Sequence, residues 1–152
     1  MNNEELKEHI NSLSFGEGWG EASGDWLCFN IEPKDWKRFA KNLRSNPELN
    51  FDYLFCVTCV DWKTHLTMVY HLTSTSYRHV IVVKAKLDRA NPEIETVCDT
   101  WRTAEFHERE QYELFGVKFL NHPDLRRLIL TDDFEGFPLR KDFEDPVNMI
   151  KL

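Results

Sequence analysis

The sequence predicts an α+β fold: a two-layer sandwich of about four mostly antiparallel strands, with helices on one face and an extended C-terminal tail. Two kinds of periodicity predict it, because apolar residues recur at helical spacing in some segments and alternate, as in strands, in others. The 152 residues suit one domain, and 41% of them are hydrophobic, which is enough for a core. Neither periodicity continues after Gly116, and this predicts the tail.

The chain is predicted to begin with a helix, a strand and a second helix. The first helix is amphipathic, with its apolar face formed by Leu6, His9, Ile10 and Leu13. It is expected to end at the glycines that follow, Gly16, Gly18 and Gly20. A strand over Trp26–Ile31 comes next, and Pro33 then begins a helix that ends near Pro47. The apolar stripe of this second helix consists of Trp36, Phe39, Ala40 and Leu43.

The middle of the chain is predicted to form strands. Residues 51–62 are apolar on both alternating faces, which suits a central strand covered on both sides. Apolar residues alternate again over 66–72 and 80–83, and the polar segment between these two runs predicts an antiparallel hairpin.

Two helices and the tail complete the prediction. Asn91 as a cap and Pro92 at the first position indicate a helix whose buried residues are Ile94, Val97, Cys98 and Trp101. A last helix is predicted from Ala104 to Phe115. We therefore assign residues 1–120 to the α+β domain and residues 121–152 to an extended C-terminal tail that docks a partner. The alternative for this tail is a loop that wraps its own domain.

Composition excludes several classes of protein. The formal net charge is -7, whereas a protein that binds nucleic acid through phosphate contacts is expected to be basic. No run of 18 apolar residues is present, and the N-terminus lacks the pattern of a signal peptide. We therefore expect a cytoplasmic protein whose four cysteines are reduced.

Candidate metal ligands are few. Cys56 and Cys59 have the spacing of a metal pair, but residues three apart on a strand face opposite sides of the sheet, so we predict packed thiols. His65, His71 and His79 on the hairpin leave open a stand-alone metal-binding enzyme. The sequence has no nucleotide-binding glycine loop, no G-x-S-x-G and no iron–sulfur cysteine spacing. We expect no cofactor site in this chain.

Glu108 stands out because helical spacing places it within an apolar stripe. A carboxylate buried without a partner is costly, so it needs a cation or hydrogen-bond donors. The candidate cations within the chain are Arg126, Arg127 and Arg140. A contact with a partner protein is the second possibility and catalysis the third. The tail combines arginines with large apolar residues, a composition that interfaces favour.

Three adjoining segments carry a resemblance to a known family. Residues 108–117 (EREQYELFGV), then Phe119, residues 122–130 (HPDLRRLIL) and residues 132–143 (DDFEGFPLRKDF) closely resemble the signature of the C subunit of proton-translocating NADH–quinone oxidoreductase, the 30 kDa subunit family of respiratory complex I. The strand pattern of residues 51–86 agrees with that family's α+β domain. Phe137 stands where many members have a histidine, which we take as a tolerated difference.

The resemblance implies a structural role. The C subunit in this family has no redox centre, packs against the D subunit and neighbouring iron–sulfur subunits in the peripheral arm, and leaves iron–sulfur clusters, FMN and quinone to other subunits. Phe115, Phe119 and the arginines would form or brace the docking surface. The residues expected at the partner interface or in the signature are Glu108, Arg109, Glu110, Tyr112, Phe115, His122, Arg126, Arg127, Arg140 and Lys141.

The resemblance also implies a location and leaves one alternative. The complex lies on the cytoplasmic side of the inner membrane, where this chain would be peripheral. The C and D subunits are fused in some members; because the chain ends at Leu152, we expect the D subunit to be a separate polypeptide. The alternative is the equivalent subunit of an energy-converting membrane-bound hydrogenase or of a ferredoxin-driven relative.

Overall fold

A computed structural model describes residues 1–13, 20–23 and 25–150. Over these residues the chain forms three helices and seven strands. In chain order they are α1 (Asn3–Ser12), β1 (Gly20–Ser23), β2 (Trp26–Ile31), α2 (Pro33–Ser45), β3 (Tyr53–Asp61), β4 (His65–Thr73), β5 (Val80–Asp88), β6 (Glu93–Glu95), α3 (Ala104–Phe115) and β7 (Lys118–Leu120). None of the helices in these ranges is long and apolar enough to cross a membrane.

The main sheet is mixed and has the strand order β1-β2-β5-β4-β3. Strands β4 and β5 form the predicted antiparallel hairpin. Strand β2 runs parallel to β5, and helix α2 and two strands lie between these two strands in the chain. A second, two-stranded sheet pairs β6 with β7 in parallel. The predicted α+β sandwich is confirmed, and β1 adds a strand that the sequence did not indicate.

Alternation along the strands places one apolar face of the sheet under the helices. Residues Leu66, Met68, Tyr70 and Leu72 of β4 are all fully buried on this face. The four apolar residues of the α2 stripe pack against it, and the Trp36 ring lies 4.3 Å from the Tyr70 ring. Burial of these large side chains is the main contribution to the stability of the domain.

The strand predicted to be central is instead at the edge of the sheet. Strand β3 pairs only with β4, and a bulge between Leu54 and Cys56 shifts its register. Its outward apolar residues are half-buried because aromatic rings cover them, and Phe55 lies 6.3 Å from Trp26 and 5.7 Å from His71. The continuous apolar run therefore fits an edge strand here, because a bulge and an aromatic cluster, rather than a second layer of helices, account for its outward apolar residues within the described part of the chain.

The helix predicted after Pro92 is wrong, because this segment forms β6 and a turn. The backbone N–H of Thr96 donates to Leu120, and the N–H of Lys118 donates to Pro92, so pairing with β7 uses these groups. Ile94, Val97 and Trp101 are buried as predicted, whereas Cys98, also predicted to be buried, is half-buried. The spacing of apolar residues identified buried positions but not the type of secondary structure, since a short strand followed by a turn can bury the same positions as a helix.

Helices α1, α2 and α3 lie where they were predicted. Asn2 and Glu5 form a capping box at the start of α1. Gly16 and Gly18, which were expected to end α1, lie outside the described residues, and Gly20 begins β1. Helix α3 spans the predicted range and ends at Gly116 in the left-handed conformation, with φ of 75°.

Residues 121–150 contain no helix or strand. They return over the domain, and their hydrogen bonds reach the last residues of α3 and the end of β3. We call residues 122–143 the C-terminal strap. The strap wraps its own domain, which is the alternative that the sequence left open, and it is bound by residues of α3.

Candidate functional site

Helix α3 buries several charged or polar side chains within the protein. Glu108, Arg109, Gln111 and Glu113 are each at most 5% exposed. Buried charges are costly unless other groups compensate them, so each needs a partner. Apart from Gln111, which donates to the Val57 carbonyl, these side chains contact the strap or the segment just before α3.

Glu108 is satisfied within the chain. Its carboxylate accepts hydrogen bonds from the Thr96 hydroxyl, from the Val97 backbone N–H at 2.9 Å and from the Cys98 thiol at 3.2 Å. His122 Nε2 lies 3.7 Å away. Burial raises the pKa of Glu108 against the opposing effect of these hydrogen bonds. We call these five residues the Glu108 cluster.

The arginines expected to neutralise Glu108 do not contact it. Arg126, Arg127 and Arg140 bind other groups, because the donors nearest to Glu108 come from the turn after β6. A backbone N–H and a hydroxyl are donors that a search for opposite charge does not find. Glu108 is therefore paired inside the chain, and it has no exposed surface for a partner.

The donor chemistry of the Glu108 cluster does not suit a metal. Cys98, Glu108 and His122 offer ligand atoms within 4.8 Å of one another. However, His122 Nδ1 accepts the Asp124 N–H at 3.0 Å, so the ring proton is on Nε2, which faces the Glu105 carbonyl. A protonated nitrogen has no free lone pair for a metal. Burial raises the pKa of Cys98 to about 12, so a metal would have to displace the thiol proton to bind there.

Arg109 binds the carbonyl groups of the strap. Its Nε donates to the Arg126 carbonyl and its Nη2 to the Arg127 carbonyl, both at 3.0 Å, and Nη1 lies 3.9 Å from the Asp124 carboxylate. The planar guanidinium thus binds two successive carbonyls in a forked arrangement.

Glu113, one turn further along α3, binds the next N–H groups of the strap. Its carboxylate accepts from the backbone of Leu128, Ile129 and Leu130 at 2.9 to 3.1 Å. Residues four apart on a helix are neighbours, so Arg109 and Glu113 hold adjacent parts of the strap through opposite charges. The sequence did not indicate Glu113, because its partners are backbone groups that every residue except proline carries.

Two further arginines also donate to backbone carbonyls. Arg127 donates to Thr131 and, at 2.8 Å, to Phe134, which closes a loop within the strap. Arg140 Nε donates to the Phe115 carbonyl at 2.6 Å, and its guanidinium lies over the Phe137 ring. These arginines brace the strap.

The end of the strap is held by Asp61 at the end of β3. Asp61 accepts the backbone N–H groups of Lys141 and Lys63 at 2.8 and 2.7 Å and pairs with Arg89, which also reaches Asp142 at 3.0 Å. Burial raises the pKa of Asp61, but these hydrogen bonds outweigh it and hold the pKa at about 2. The sequence did not single out Asp61 or Arg89, since 80 residues separate Asp61 from Lys141.

The remaining predicted residues lie in different environments. Phe115 is buried in the core and Tyr112 packs against it, half-buried. Glu110 is half-buried, and its side chain forms no hydrogen bond or ion pair with the described part of the chain. Arg126 is exposed and pairs with Asp124 of the strap at 2.9 Å. The Lys141 side chain is exposed.

The hairpin histidines lie apart. His65 and His71 share one face of β4 but are six residues apart, which is about 20 Å along a strand. His79 is buried beside the Phe51 ring and bonds to the Leu49 carbonyl at 2.8 Å. Cys59 is in the core, whereas Cys56 is on the opposite face beside His71, as the spacing predicted. The geometry gives no support to a metal site formed by these histidines.

Comparison with known proteins identifies the family. The family model "Respiratory-chain NADH dehydrogenase, 30 Kd subunit" matches residues 29–147. The NADH-quinone oxidoreductase C subunit of Chloroherpeton thalassium is 38% identical over 145 residues, 92% of this chain. A fused C/D subunit of the same enzyme from Phocaeicola vulgatus is 44% identical over 105 residues, 68% of this chain. The chain spans 60% of the length of the first relative and 20% of the second.

Relatives and structures of other complexes are also similar. The F(420)H(2) dehydrogenase C subunit of Methanosarcina mazei is 46% identical over 99 residues, 63% of each chain. A solved structure of an archaeal respiratory membrane complex, the membrane-bound sulfane sulfur reductase, contains a chain with a TM-score of 0.80 and 28% identity. The match covers 93% of this chain and 85% of that one. On its family match and these identities, the chain belongs to the family of the 30 kDa subunit of respiratory-chain NADH dehydrogenase.

Proposed function

We propose that this chain is the cofactor-free structural C subunit of a proton-translocating NADH–quinone oxidoreductase. In this role it docks onto the D subunit in the peripheral arm and supports electron transfer from iron–sulfur centres to quinone in other subunits. The observation that carries the proposal is the strap, which lies within the family match and whose apolar side chains remain exposed on a firmly held backbone.

The bonding of the strap separates bracing residues from surface residues. Arg109, Arg127 and Arg140 donate to carbonyls of this chain, so their role in docking is to shape the strap. The Arg126 and Lys141 side chains are exposed, so both can face a partner, although Arg126 also pairs with Asp124 of the strap. The proposed interface therefore depends on a shape that buried charges maintain.

The D subunit is the proposed partner because a relative of this chain carries both subunits in one polypeptide. A fused protein keeps the two subunits at high effective concentration, which is useful only where they work in contact. Through the D subunit and its neighbours this chain would be held at the cytoplasmic side of the membrane.

A second candidate is the equivalent subunit of a related complex with another electron donor or acceptor. The similarity to the F(420)H(2) dehydrogenase protein and to the sulfane sulfur reductase chain favours it. In both candidates we expect this chain to use the strap in the same way.

Affinity purification of the tagged chain from its native cells tests the proposal. The D subunit and iron–sulfur subunits of an NADH–quinone oxidoreductase are expected among the proteins recovered, with NADH–quinone activity in the eluate. Recovery of a nickel-binding hydrogenase subunit or of another electron-input subunit would select the second candidate. A redox group bound to the isolated chain, or turnover by it, would refute both.

A further inference from the structure

Two apolar residues of the strap point away from the domain. Leu128 is 42% exposed and Ile129 is 66% exposed, although the backbone N–H groups of both are bound by Glu113, which is itself only 2% exposed. Loops lie at the surface because water can then satisfy their backbone polar groups, and an apolar side chain is more stable when it is buried. Here the arrangement is reversed.

The reversal is built into the bonding of the strap. Arg109 binds the two carbonyls that precede Leu128, and Glu113 binds the three N–H groups that follow them. The backbone side of this segment is therefore turned towards α3. Leu128 and Ile129 cannot turn inward unless these bonds to buried charges break, so the protein keeps both side chains available.

A second apolar pair lies by the same end of α3. The Leu139 backbone N–H donates to the Leu114 carbonyl at 3.1 Å, and the Phe137 ring lies against Gly116. Leu139 is half exposed and Phe137 more than a third exposed. Because Glu113 and Leu114 are adjacent in α3, both apolar pairs surround the C-terminal end of this helix.

The stretch of strap between the two apolar pairs is acidic. Asp132, Asp133 and Glu135 are exposed, and none of the three forms an ion pair with any residue in the described ranges. A hydrogen bond with the Thr131 side chain and the charge of Arg127 lower the pKa of Asp133, while Arg127 itself donates to the carbonyls of Thr131 and Phe134. Exposed carboxylates that form no ion pair within the described ranges, beside an exposed apolar pair, are complementary to an apolar socket with a basic border.

We propose that Leu128 and Ile129 are an apolar hook that inserts into a socket on the D subunit, and that lysine or arginine side chains around this socket face Asp132, Asp133 and Glu135. This inference rests on the proposed function and assigns the contact to particular side chains. It differs from the sequence-based expectation, which gave the arginines the leading part. The buried pair Arg109 and Glu113 positions the hook.

The test is recovery of the D subunit by the tagged full-length chain, expressed in cells that also make the other subunits. The double variant Leu128→Ser/Ile129→Ser removes the hook, and Ile129→Asp alone changes only its most exposed residue. The matched control is Val147→Ser/Ile150→Ser, because both residues are 86% exposed and apolar but lie beyond the strap. A further variant, Asp132→Lys/Asp133→Lys, reverses the charge of the acidic stretch.

Both hook variants are expected to reduce the recovery of the D subunit by about tenfold or more, since buried apolar anchors dominate interface energies. The control should recover this partner at the wild-type level. The charge reversal should weaken recovery less, and more at low salt than at high salt. Circular dichroism and thermal unfolding of each purified chain should match the wild type, because the altered side chains are exposed.

Wild-type recovery by folded hook variants would overturn the hook while leaving the proposed function intact. Equal losses for the hook variants and the control would also overturn it, because any exposed apolar pair would then serve. If the wild-type chain itself recovers no D subunit, the proposed function fails and the hook fails with it.

Discussion

Replacing Glu113 by glutamine should release the strap without unfolding the domain. The side chain keeps its size, but one of its two acceptor oxygens becomes an NH2 group that faces backbone N–H donors. Three N–H groups, those of Leu128, Ile129 and Leu130, lose a charged acceptor. A hydrogen bond to a charged group contributes about 1 kcal/mol more than a neutral one, so the loss is about 3 kcal/mol in the free energy that holds the strap closed.

Limited digestion with trypsin measures this loss, because trypsin cleaves after Arg126 and Arg127, directly before the N–H groups that Glu113 holds. When opening and closing are fast compared with cleavage, the rate of cleavage follows the open population. A loss of about 3 kcal/mol therefore predicts cleavage about a hundredfold faster. Mass spectrometry should locate the first cuts after these two arginines, with the rest of the domain intact.

Glu110→Gln is the matched control, since Glu110 is on the same helix and makes no bond to the strap. It should be cleaved at the wild-type rate. If Glu113→Gln is cleaved no faster than this control, then Glu113 does not hold the strap and the reasoning about buried charges on α3 is refuted.

Three other measurements check separate parts of the structure. Gly116→Ala should lower the free energy of unfolding by about 2 kcal/mol or more, because an alanine is strained at φ of 75° and its Cβ would lie 2.6 Å from the Phe137 ring. Adding Phe137→Ala should restore only the part of the stability lost to this steric clash, and thermal unfolding of both variants measures the difference. Asp61→Asn should lower the free energy of unfolding at neutral pH. Because folding lowers the pKa of Asp61 from 3.8 to about 2, the difference in stability between variant and wild type should be full above about pH 4 and should shrink as the pH falls towards 2. Urea titrations at several pH values measure it, and a constant difference would contradict the ion pair. Zinc added to the purified chain should leave its melting temperature unchanged, whereas a stoichiometric rise that is lost on changing His122 would show that the Glu108 cluster does bind metal.

Helix α3 illustrates how buried charged side chains can maintain the shape of an irregular segment. A segment without helix or strand has no internal pattern of backbone hydrogen bonds, so its N–H and C=O groups need other partners. Arg109 and Glu113 supply partners of both signs from adjacent turns of one helix. The strap is thereby held in one conformation, although it buries few apolar side chains of its own.

The sequence predicted well what depends on local periodicity. Alternation over β4 and β5 predicted the hairpin, and Pro33 and Gly116 marked where α2 begins and α3 ends. The segment after Pro92 was misread because three buried residues at helical spacing also suit a short strand and a turn. Strand β3 was placed in the centre because an apolar run does not reveal whether helices, rings or a bulge cover it.

By itself, the sequence determined the fold class, the hairpin, the limits of α3 and the family signature, because these depend on the order and spacing of side chains along the chain. Only the tertiary structure decided what the charged residues of that signature bind. Glu108, Arg109 and Glu113 all have backbone groups among their partners, and backbone groups are the same at nearly every position. Which of them meets a given charge depends on the path of the chain in space, and for this reason Arg109, Arg127 and Arg140, expected at the partner interface, were found holding the strap.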